Sequence, residues 1–71
     1  MIYKVNSSNI SMVDYNLDNL TLTVYFKDGS VYNYSPVYQS QVLDFDAAES
    51  KGKWFNQNIR KNKTISTKKV K

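Results

Sequence analysis

The chain has 71 residues, ten basic and six acidic side chains, and neither cysteine nor histidine. Those two absences remove disulfides, thiolate metal sites, the commonest zinc ligand and the commonest general base. A chain this short forms one domain with a thin margin of stability. The opening Met1-Ile2-Tyr3-Lys4-Val5-Asn6 is too polar for a signal peptide, and no apolar run reaches the roughly 20 residues of a membrane span. A cytoplasmic protein is expected.

The net charge is +4, but residues 61–71 hold five lysines (Lys61, Lys63, Lys68, Lys69, Lys71) and no acid. Without them residues 1–60 stand at −1. The reading is therefore a near-neutral domain over residues 1–60 and a flexible basic tail over 61–71.

Ile10 to Asn16 reads as a first strand, with Ile10 and Val13 out of phase by one and a bulge expected near Ser11-Met12. Asp18 and Asn19 supply turn chemistry. Leu20 to Phe26 alternates apolar and polar and is the clearest strand. Asp28-Gly29 marks a hairpin turn before the third strand, Val31 to Tyr34. A two-residue turn would place Tyr32 and Tyr34 beside Thr23 and Tyr25. A three-residue loop with Gly29 left-handed would set Val24 opposite Tyr32 and Leu22 opposite Tyr34. The second register gathers the large apolar groups on one face and is preferred.

Ser35 and Pro36 read as N-cap and first residue of a helix running to about Glu49. Val37, Tyr38, Val42, Leu43 and Phe45 form its apolar face. Gly52 reads as its stop. A second helix from Trp54 to about Lys61 turns Phe55 and Ile59 inward. The fold class is α+β: a three-stranded antiparallel β-meander followed by two helices packed on one face of the sheet.

The segments Ser7-Ser8-Asn9-Ile10, Tyr32-Asn33-Tyr34, Ser50-Lys51-Gly52 and Phe55-Asn56-Gln57-Asn58-Ile59-Arg60, in that order, resemble the KTSC domain. That small module stands at the C-terminus of some lysyl-tRNA synthetases and alone in bacterial and phage proteins. The resemblance covers roughly residues 5–60. It implies the α+β fold and, through the synthetase attachment, an RNA-binding role. Asp14 stands where the family usually has Gly.

Asp44, Asp46 and Glu49 offer the one carboxylate cluster, and no nucleophile with a partner base accompanies it. A solvated helix face is the better reading. No catalytic residue, cofactor or metal is expected, and the protein reads as a binding module rather than an enzyme. Asn56 and Arg60 sit four apart on the second helix and project together. Arg60 is the single arginine beside nine lysines. Its planar fork suits a bidentate grip on phosphate or carboxylate, or an internal bridge to Asp14 or a cap on the Ser7-Ser8 backbone. Trp54, next to Lys53, suits stacking on a base or docking on a protein, and equally a lid over the sheet edge. Tyr32 and Tyr34 read as core aromatics, with a stacking platform as the alternative. The resulting expectation is a nucleic-acid-associated module working through the tail lysines, Arg60, Lys53, Asn56 and exposed aromatics. Two alternatives stand beside it. One is an adaptor or inhibitor, phage-encoded and acting on a host protein. The other is a binder of a small anionic nucleotide.

Overall fold

A computed structural model describes residues 2–71. Five antiparallel strands form one sheet in chain order: β1 (Ile2–Lys4), β2 (Ile10–Asn16), β3 (Thr21–Phe26), β4 (Val31–Ser35) and β5 (Ser66–Lys69). Between β4 and β5 come α1 (Gln39–Ala47), α2 (Lys51–Phe55) and a π-helical turn, Asn56–Arg60. The α+β class and the antiparallel meander are as expected. The three-stranded count is corrected to five, because one strand is added at each edge.

The hairpin adopts the bulged register. Val24 faces Tyr32 and Leu22 faces Tyr34. Gly29 has φ +93°, the Phe26 amide donates to the Ser30 carbonyl at 2.9 Å, and the Gly29 amide donates to the Phe26 carbonyl at 3.0 Å. The expected irregularity between Ile10 and Met12 is present.

One face of the sheet carries the core. Val13, Tyr15, Leu22, Val24 and Tyr34 meet Val42 and Phe45 of α1, Phe55 of α2 and Ile59 of the π-helical turn. The Tyr15 hydroxyl donates to the Val37 carbonyl at 2.6 Å, and the Val37 amide donates to the Leu20 carbonyl at 2.8 Å. These bonds tie the segment before α1 to the sheet and account for a correction. The Ser35–Pro36 peptide is cis, Val37 is buried ahead of the helix, and α1 begins only at Gln39. Gln41 Oε1 accepts from the Tyr38 amide at 2.8 Å at that new start. Tyr38 and Leu43 leave the expected apolar face and are 54% and 60% exposed. Strand β3 starts at Thr21 rather than Leu20, whose φ of 56° places it in the turn.

The expected flexible tail is a structural element. Ile65 is buried in the core, and β5 pairs along β4, Tyr32 with Lys69 and Tyr34 with Thr67. The Val31 amide donates to the Lys71 carbonyl at 3.0 Å. Lysine-rich edge strands blunt edge-to-edge aggregation, so charge and strand structure are compatible here.

Candidate binding site

Gly52 does not stop α1, which ends at Ala47. It lies inside α2, where the helix crosses the 6–9 loop. A Cβ at Gly52 would stand 3.0 Å from Ser7 Oγ and 3.4 Å from Asn9 Oδ1. The missing side chain lets the two segments touch. Ser7 Oγ in turn donates to Asn9 Oδ1 at 3.0 Å, which holds the loop in shape.

The second helix begins earlier than expected, at Lys51, and after Phe55 it widens into the π-helical turn. The Lys61 amide donates to the Asn56 carbonyl five residues back, at 3.2 Å. Phe55 and Ile59 are buried as expected. Single π turns inside α-helical segments recur at functional sites. Here the turn carries Asn56 and Arg60.

Two clefts meet at Arg60. A polar cleft of about 570 Å³ is lined by Ser7, Ser8, Asn9, Glu49, Ser50, Gly52, Lys53, Asn56 and Arg60, among others. An aromatic cleft of about 690 Å³ is lined by Phe26, Tyr32 and Tyr34 with Ser8, Asn9, Lys27, Asp28, Ser30, Thr67 and Arg60. Ser8, Asn9 and Arg60 line both. The structure thus brings together Lys53, Asn56, Arg60, Tyr32 and Tyr34.

Arg60 is exposed and, among the described residues, its side chain makes no hydrogen bond or ion pair. The internal bridge to Asp14 is not made. Asp14 pairs with Thr23 on β3, between the core residues Val13 and Tyr15, and so points from the opposite face of the sheet. The Arg60 charge is felt at Tyr34. Burial pushes that phenol above its ordinary value, the guanidinium pulls it back, and Tyr32 adds a smaller push upward.

Tyr34 is only 2% exposed and its ring sits edge-on to Phe55 at 5.1 Å. Its ring is a core group. Tyr32 and Phe26 are half-buried, edge-on to each other at 5.8 Å, and form the open aromatic wall.

Trp54 lines neither cleft. It packs edge-on against Phe45 at 6.0 Å and lids the contact between the helices. The lysines 61, 63, 68, 69 and 71 line neither cleft, although Lys69, opposite Tyr32, shares its face of the sheet. The sequence alone offered Ser7-Ser8 only as a backbone for Arg60 to cap and did not connect Asp28 with the site. The repeated small polar residues in the two motif segments were the available signal.

Comparison with known proteins assigns the family. The KTSC domain profile matches residues 6–62. The chain belongs to the KTSC domain family. A crystal structure of a KTSC domain protein from Yersinia pestis superimposes with a TM-score of 0.86 at 30% identity, covering 100% of this chain and 97% of that one. A lysine–tRNA ligase of Nostoc punctiforme is 41% identical over 59 residues, which is 83% of this chain. The chain spans 10% of the length of that ligase. The segments that carry the resemblance in the sequence, Ser7-Ser8-Asn9 and Ser50-Lys51-Gly52 with Asn56 and Arg60, supply most of the lining of the polar cleft.

Proposed function

We propose that this KTSC domain is a small non-enzymatic module that binds single-stranded RNA, with a phosphate at Arg60 and a base against the Tyr32–Phe26 wall. One observation carries the reading: Arg60 is exposed, its guanidinium makes no hydrogen bond or ion pair with another described residue, and it stands on the ridge between a polar and an aromatic cleft. A guanidinium fork grips phosphate through paired N–H donors, and unstacked bases lie on aromatic rings. Lys53 and Asn56 add a cation and an amide on the polar side. Lys69 adds charge beside Tyr32, and the other lysines of 61–71 add phosphate attraction at longer range. The similarity to a lysine–tRNA ligase supports RNA as the partner class. No helix among the described residues is long and apolar enough to cross a membrane. A cytoplasmic setting fits a chain without cysteine.

The test is a salt titration of fluorescence anisotropy on one labelled single-stranded RNA. Affinity should fall with salt at a log–log slope of about −0.7 for each phosphate neutralised. Arg60→Gln should weaken binding about tenfold and flatten the slope by about one contact. Absence of binding at low salt would end this reading.

A second reading has its own observation. Tyr38 and Leu43 are exposed large groups on and beside α1, and they suit an adaptor or inhibitor, phage-encoded and directed at a host protein. A pulldown from host lysate with and without nuclease separates the two. Capture that survives nuclease and is lost in Leu43→Glu favours the protein partner. A free anionic nucleotide that competes with the RNA would reduce the ligand to a single nucleotide.

A further inference from the structure

We infer that Asp28 reads the hydrogen-bonding edge of the base held in the aromatic cleft, so that the site takes guanine in preference to uracil. This rests on the RNA-binding reading above and adds the identity of the base. Among the described residues Asp28 is the one carboxylate that lines the aromatic cleft, which Phe26 and Tyr32 wall and Arg60 borders. A base stacked there with its phosphate toward Arg60 would turn its outer edge toward the other lining groups.

Asp28 is set for that contact by its own hairpin. The Ser30 amide donates to Asp28 Oδ1 at 2.9 Å and the Ser30 hydroxyl donates to the same oxygen at 2.6 Å. The turn is fixed by the bonds of Phe26 and Gly29 across it. The carboxylate is thereby held in one orientation. No hydrogen bond from another described residue reaches Oδ2. The two Ser30 bonds keep the group ionised by favouring its charged form.

An ionised carboxylate accepts hydrogen bonds and donates none. Guanine presents two adjacent donors, N1–H and N2–H, on its pairing edge. Adenine and cytosine each present an amino donor next to a ring-nitrogen acceptor. Uracil presents one N–H flanked by two carbonyl oxygens, which the carboxylate repels. The order of preference is therefore guanine first, adenine and cytosine next, uracil last.

The experiment compares four labelled single-stranded RNAs, a short oligouridine and three copies of it with one central guanosine, adenosine or cytidine, by fluorescence anisotropy at low salt. The central guanosine should tighten binding to the wild-type protein about tenfold over oligouridine. Asp28→Asn keeps an oxygen for the Ser30 bonds but adds donors, and should bring the guanosine and uridine RNAs within about twofold of each other. Lys27→Gln, from the same cleft, should weaken all four alike and keep the order. Melting temperatures of both variants verify folding. Wild-type protein that binds the four RNAs equally, or an Asp28→Asn variant that keeps the guanosine preference, overturns the assignment of Asp28 while leaving RNA binding in place. Failure to bind any of the four overturns both.

Discussion

Arg60 and Tyr34 are coupled through space. Burial raises the Tyr34 phenol above its ordinary value, and the guanidinium opposes that rise. Replacing Arg60 by Gln removes the opposing charge, so Tyr34 should ionise at still higher pH. Absorbance titration of phenolate in the two proteins measures this, with an unchanged Tyr34 transition as the contrary result. The sign for stability follows. Tyr15 and Tyr34 both have native values raised by burial. Each holds its proton more tightly when folded. Their contribution is complete below about pH 10, the unfolded value, and is lost as pH climbs through the native values. Thermal melting should fall on the alkaline side, and by more in Arg60→Gln, where Tyr34 resists ionisation longer.

Gly52 and Ser7 set how closely α2 meets the 6–9 loop. Ala in place of Gly gains about 1 kcal/mol in a helix interior. Here the new methyl would press on Ser7 Oγ at 3.0 Å. Gly52→Ala should therefore lower stability by about 1 kcal/mol in the wild-type background and raise it in a Ser7→Ala background. Denaturant unfolding of the four proteins of that cycle gives the coupling, and equal effects in both backgrounds would mean the contact is slack.

Gly29 is a case of backbone alone. Nothing lies within 4 Å of a Cβ placed there, yet its φ is +93°. Gly29→Val should cost about 1–2 kcal/mol through left-handed strain. The same denaturant measurement checks it, and a neutral result would require the turn to change type. Such a change would move Asp28 and disturb the order of base preference.

Residues 62–71 are worth more to the fold than a basic tail would be. Deleting them removes Ile65 from the core and β5 from the sheet edge. Burial of one Ile side chain is worth about 2 kcal/mol, a large share of the stability of a domain this small. The truncated chain should melt well below the full one. An unchanged melting temperature would mean that β5 adds nothing to the fold.

The core of the sheet was legible because β2, β3 and β4 alternate and because only one hairpin register gathers Leu22, Val24, Tyr32 and Tyr34. The edge strands were not. Ile2–Lys4 is too short to show a period, and Ser66–Lys69 is exposed throughout, so no apolar face marks it. The start of α1 was misplaced because Ser35-Pro36 carries a helix-opening signal that the Val37–Leu20 and Tyr15–Val37 bonds override. Arg60 and Asn56 could be paired from their spacing. Their meeting with Ser7, Ser8 and Asn9 could not, since some fifty residues of chain separate them and only the Gly52 crossing brings them together. The neighbour of Trp54 was not legible either, because its contact with Phe45 depends on how the two helices pack.

The central claim is that RNA sits on the Arg60 ridge. Amide chemical-shift mapping of the full chain during titration with a single-stranded RNA tests it most directly. The account predicts that the amides of Ser8, Asn9, Asp28, Tyr32, Asn56 and Arg60 move together in fast or intermediate exchange and that Arg60→Gln moves the midpoint of the common shift to about tenfold higher RNA concentration. Shifts confined to the 61–71 lysines, or to Met12, Thr23 and Tyr25 on the opposite face of the sheet, would contradict it.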